Sequence, residues 1–102
     1  MYEFKRLTNG FNYVFEKTLS GNKTILLKMP PISANKRGIN DIGFCAENGV
    51  SLYSTISSEP DDDTAIWQEI QPFDEVNKTT SFIKIVNTSA ENKRVNIRVI
   101  LN

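Results

Sequence analysis

Arg94-Val-Asn-Ile-Arg-Val-Ile-Leu101 is the stretch whose reading decides the fold. Val95, Ile97, Val99 and Leu101 alternate with Asn96, Arg98 and Ile100. Successive side chains of a strand point to opposite faces, so this pattern predicts a strand with its odd-numbered residues on a core. Upstream, Ser81-Phe-Ile-Lys-Ile-Val86 is a second run rich in β-branched residues. Between them Asn87-Thr-Ser-Ala-Glu-Asn-Lys93 has the Asn/Ser/Thr chemistry of a surface turn. The two runs and their connector read as a terminal β-hairpin.

The same signals recur from the start of the chain. Tyr2 and Phe4 alternate with Glu3 and Lys5 in a short first strand. Asn9-Gly10 signals a tight turn, after which Phe11, Tyr13 and Phe15 share a face. Ser20-Gly-Asn22 is the next turn. Ile25, Leu27 and Met29 then lie on one face with Leu26 on the other, until Pro30-Pro31 ends the strand. Residues 32 to 40 are irregular. Ile42, Phe44 and Ala46 mark another strand, Asn48-Gly49 another tight turn, and Val50 to Ser57 the expected partner strand. In that partner Val50, Leu52 and Ile56 share one side, and Tyr53 and Thr55 the other. Glu59-Pro-Asp-Asp-Asp63 is a loop. Thr64 to Ile70 fits either a short helix capped by Asp63 or a strand with Trp67 inward, and its strand-like neighbours favour the strand. About seven to eight short strands with a turn signal every 8–12 residues predict an all-β, antiparallel β-sandwich, immunoglobulin-like or jelly-roll-like. At 102 residues a single domain over 1–102 is expected.

Composition bounds the function. Hydrophobic residues make up 39% of the chain, enough for a core. The apolar runs are too short to span a membrane as helices, and Met1 to Arg6 alternates where a secretory signal would have an apolar block. Cys45 is the only cysteine, so it builds neither a disulfide framework nor a zinc site and is expected as a small buried hydrophobe. Asn22-Lys-Thr24, Asn77-Lys-Thr79 and Asn87-Thr-Ser89 match the glycosylation sequon but read as turn composition. The formal charge is zero, which argues against non-specific nucleic-acid binding.

That zero hides an asymmetry. Residues 1 to 40 carry seven basic side chains against Glu3 and Glu16. Residues 41 to 75 carry nine acidic ones and no basic one. Residues 76 to 102 are basic again, with Glu91 the one acid. Either the fold has an acidic and a basic region, or its strands interleave and mix the charges.

Catalytic residues are not expected: the chain has no histidine and no Gly-rich phosphate loop. No cofactor is expected either, apart from a calcium ion for which Asp61, Asp62 and Asp63 are the candidate ligands. Calcium takes converging carboxylate oxygens from a flexible loop, although the spacing of an EF-hand is missing. Trp67, Tyr13, Tyr53 and Phe73 are candidates for an aromatic platform for sugars or bases, or else for the core. Lys36 and Arg37 on one loop, with Glu59 and Asp62 on another, are candidate partner contacts. Opposite charges on separate loops suit a head-to-tail contact between copies, with Ile32, Ile39 or Phe73 as the apolar anchor.

Trp67-Gln-Glu-Ile70, Glu75-Val-Asn-Lys78, Ile83-Lys-Ile-Val-Asn87, Val95-x-Ile97 and Ile100-Leu-Asn102 together resemble small β-sandwich virion proteins of tailed bacteriophages, especially crAss-like gut phages. The resemblance covers the last third of the chain. It implies a non-enzymatic building block of the capsid exterior or head–tail region, made in the bacterial host cytoplasm and assembled in many copies. Its expected partners are itself and a capsid or connector protein, with no nucleic acid and no membrane. The rival expectation is a carbohydrate-binding or adhesin-like module, assisted by calcium.

Overall fold

In the computed structural model of the chain, residues 1–7, 12–30, 39–60, 65–71 and 80–101 are described. They form nine strands and no helix: β1 (Tyr2–Glu3), β2 (Lys5–Arg6), β3 (Asn12–Leu19), β4 (Thr24–Lys28), β5 (Ile39–Ala46), β6 (Val50–Thr55), β7 (Gln68–Ile70), β8 (Phe82–Asn87) and β9 (Lys93–Leu101). A five-stranded sheet runs β1-β4-β8-β6-β7 and a four-stranded sheet β2-β3-β9-β5. The pairs are antiparallel apart from β1–β4. This is the expected sandwich, with one strand more than expected because the first is split. Phe4 is the split: β1 joins one sheet, β2 the other, and the Tyr2 and Phe4 rings both meet Phe15 edge-on, at 6.1 and 6.3 Å.

The alternating faces close on each other as the pattern requires. Ile25, Leu27, Leu52, Ile70, Ile83 and Ile85 from one sheet are buried with Phe15, Leu19, Val95, Ile97 and Val99 from the other. Burying each such side chain stabilises the fold by roughly 1.5–3 kcal/mol.

Several sequence expectations are corrected. The terminal hairpin does not form, because β8 and β9 lie in different sheets. Each is a central strand, β8 between β4 and β6 and β9 between β3 and β5, so both of its backbone edges are already paired. Residues 88 to 92 carry the chain across. The Asn48-Gly49 turn is also a crossing, from β5 in one sheet to β6 in the other. Its geometry is that of a tight turn, with Val50 N–H donating to the Glu47 carbonyl and Gly49 at φ 97°. A side chain there meets both an unfavourable backbone conformation and Ser89 Cβ, 3.1 Å from an ideal Cβ. Gly49→Ala is therefore expected to cost about 1–2 kcal/mol in urea denaturation.

Cys45 is exposed, not buried. Phe44 and Ala46 pack against the core, and the period of two then turns Cys45 outward. Ile56 lies one residue beyond β6 and is 61% exposed, so it leaves the face it was expected to share with Leu52. The strand near Trp67 is only Gln68–Ile70, and Trp67 is half-buried just before it.

Asn87 departs most from its expected place in a surface turn. It ends β8 on the inner side of Ile83 and Ile85 and is 1% exposed. Its Nδ2 donates to the carbonyls of Leu19 (3.2 Å), Ser20 (3.0 Å) and Glu91 (2.8 Å). Its Oδ1 accepts from Ser89 N–H at 3.0 Å, and its own N–H donates to the Lys23 carbonyl. One side chain thus ties the end of β3 to the crossing that leaves β8.

Candidate functional site

The strand orders give the sandwich two lateral sides. β1 and β2 are edge strands one residue apart in the chain, so they share a side. β5 and β7 are the opposite edges, and between them lies an open mouth of about 440 Å³. Phe44, Val50, Leu52 and Ile70 contribute its apolar lining and Glu47 and Glu69 two of its acids.

This placement decides between the two readings of the charge. β6, β7 and all but the first two residues of β5 come from the acidic stretch 41 to 75, and the three strands lie together on one side. The described acid side chains there are Glu47, Glu59 and Glu69. The opposite side has Lys5, Arg6, Lys17 and Lys28 against Glu3 and Glu16, all on β1 to β4. Strands β8 and β9 stand between. Among the described residues, the strand order keeps the acids of β5 to β7 on the side opposite the cations of β1, β2 and β4.

The edges differ as well. β1, β2 and β7 have two or three residues each, which is how sheets commonly blunt an edge, while β5 has eight. Glu47 N–H donates to the Arg94 carbonyl, so odd-numbered residues of this register direct their backbone groups toward β9. The N–H and C=O of Phe44 and Ala46 therefore point off the sheet. No strand pairs with them among the described residues.

On the outer face of the five-stranded sheet, Tyr53 on β6 stands directly across from Lys84 on β8. Lys84 Nζ lies 5.2 Å from the centre of the Tyr53 ring and 4.6 Å from that of Trp67. Trp67 therefore faces outward, contrary to the inward strand position expected of it, because the parity of β7 puts residues 67 and 69 on the face of Tyr53. Of the four candidate platform aromatics, the structure brings Trp67 and Tyr53 together. Tyr13 packs against the core in the other sheet, and Phe73 lies outside the described residues. A cation between two rings contributes about 1 kcal/mol at a half-exposed site. Lys84→Ala is expected to lower stability by that amount and to raise the accessibility of Trp67 to an acrylamide quencher.

A shallow depression of about 490 Å³ lies on the outer face of the four-stranded sheet, with Glu16, Cys45, Glu47, Arg94 and Asn96 in its lining. Asn96 Nδ2 donates to Glu16 Oε1 at 2.6 Å, and Arg94 N–H donates to Glu47 Oε2 at 3.0 Å. These polar groups satisfy one another across the rungs, and the chain has no histidine to take the Cys45 proton.

Of the other sequence candidates, Glu59 is exposed, with its backbone held by the Ser57 hydroxyl. Lys36, Arg37, Asp61, Asp62 and Asp63 lie outside the described residues, as do Ile32 and the Asn9-Gly10 turn. Among the described residues no group of three His, Cys, Asp or Glu side chains is placed to hold a metal ion. No protein-family model matches this chain, and neither a curated protein nor a solved structure shows significant similarity to it.

Proposed function

We propose that the chain is a non-enzymatic structural protein of a bacteriophage virion, working at the capsid exterior or the head–tail region by protein–protein assembly. The observation that carries this reading is the β5/β7 side. A long strand with outward backbone groups borders an open mouth of mixed polar and apolar lining, on the side whose charge is opposite to that of β1/β2. Unpaired strand edges recruit further strands, and complementary charge orients the encounter. The resemblance of the last third to phage virion sandwiches supplies the setting. Light scattering on a size-exclusion column is expected to show molar mass rising with loading concentration. Co-expressed capsid or connector protein is expected to co-purify with the chain. A protein that stays monomeric, retains no virion protein and binds glycans would sink the reading.

One observation favours the rival module. Trp67 and Tyr53 share an outward face, as a sugar-stacking platform requires. Lys84 already lies over both rings, so a sugar would have to displace its ammonium or stack on the opposite faces. Glycan-array binding abolished by Trp67→Ala, with a melting temperature raised by calcium, is the result that would select this module.

A further inference from the structure

We infer that copies of this chain join head to tail, the β5/β7 side of one docking on the β1/β2 side of the next. The inference rests on the assembly reading above and names its surfaces. The two sides differ and face away from each other, so contact between them is heterologous and extends to a ring or an open row. A symmetric alternative, β5 against β5 of a second copy, brings Glu47 of one chain to the same acidic edge of the other. Like charges brought together this way are costly, whereas Lys5 and Lys28 of the opposite side complement them.

Charge gives orientation but little affinity, since each exposed pair contributes a fraction of a kcal/mol. The apolar anchor is available on both sides. Leu7 follows β2, next in the chain to Lys5 and Arg6, and is 37% exposed. The mouth between β5 and β7 offers the half-buried Phe44 and Val50 to receive it. The outward N–H and C=O groups of Phe44 and Ala46 then have a backbone to pair with. An edge of this kind combines a ladder, an apolar anchor and a charged rim, the usual anatomy of a specific interface.

The test uses two charge-reversed variants of the full chain. Glu47→Lys/Glu69→Lys reverses the acidic side and Lys5→Glu/Lys28→Glu the basic side. Each alone is expected to weaken self-association at least tenfold, because every contact needs both sides. Mixed in equal amounts, they restore opposite charge at both kinds of contact, native acidic on native basic and reversed basic on reversed acidic, so association should return in the mixture and in neither variant alone. Glu69→Lys alone leaves the Glu47 bond to Arg94 N–H intact and serves if the double variant misfolds. Wild-type association should fall about fivefold between roughly 50 and 500 mM NaCl. Leu7→Ala should weaken it without changing its salt dependence. A mixture that stays monomeric overturns the head-to-tail contact. Wild-type assembly indifferent to both reversals also overturns it, while leaving the assembly reading in place through another surface. A wild-type chain that never self-associates overturns it too, and co-purification with a capsid or connector protein then decides the assembly reading by itself.

Discussion

Asn87→Ala is expected to lower the melting temperature by roughly 10–25 °C, corresponding to about 2–4 kcal/mol. The wild-type amide has two N–H groups shared among the carbonyls of Leu19, Ser20 and Glu91, and its oxygen holds Ser89 N–H. Alanine removes all four contacts at a site that is 1% exposed. The Leu19 carbonyl is the costly one, because its bond is buried, while those of Ser20 and Glu91 are part-buried and water can reach them. A buried polar group left without a partner costs about 1–3 kcal/mol, more than the bond itself was worth. Asn87→Asp separates the donor from the shape. It keeps the volume but directs a carboxylate at three carbonyl oxygens. Burial and repulsion then raise the introduced carboxyl's pKa above its unfolded value of about 3.9, so that variant loses stability as pH rises from that value toward neutrality. Thermal melts of Asn87→Asp at acidic and neutral pH, referred to wild type at each pH, measure this. Equal deficits at both would show that the carbonyl cluster does not face residue 87.

The misplacement of Asn87 in the sequence reading marks what alternation can and cannot say. Counting by two from Ile83 and Ile85 puts residue 87 on the core side, and only its chemistry suggested a surface turn. Cys45 was legible in the same way, between Phe44 and Ala46. Sheet membership was not. A hairpin and a crossing bury the same faces of Ser81–Val86 and Arg94–Leu101, and the choice is made by β4, β6, β3 and β5, which occupy both edges of each run. The charge blocks could be counted from residue numbers. Whether they survive folding depended on β5 and β7 becoming edges of different sheets on one side. The Trp67–Lys84–Tyr53 cluster depends on β7 pairing with β6, a contact set by the twelve residues between them and not by any local motif.

Gly21→Ala is expected to destabilise the chain by about 3 kcal/mol, at the upper end of overpacking costs. Gly21 lies in the crossing from β3 to β4, where Lys23 N–H donates to the Ser20 carbonyl and Asn22 takes the left-handed conformation at φ 59°. Asparagine tolerates that conformation, so the turn itself is not strained by its side chains. The constraint on Gly21 comes from outside the turn. An ideal Cβ on Gly21 would lie 2.2 Å from the carbonyl oxygen of Ala90 and 2.5 Å from its carbon. Neither atom belongs to a flexible side chain, so the two crossings would have to separate. Asn22 N–H donates to the Ser89 carbonyl at 2.8 Å, and Asn87 binds Ser20 on one crossing and Glu91 on the other. Separation would stretch all three bonds. Ala90→Gly should not rescue Gly21→Ala, because the clash is with backbone that glycine keeps. Asn22→Gly, which frees the turn but not the contact, should change stability by less than about 1 kcal/mol. Urea unfolding of the four proteins checks the set. Rescue by Ala90→Gly, or a Gly21→Ala melting point within a few degrees of wild type, would show that the crossings can part without loss.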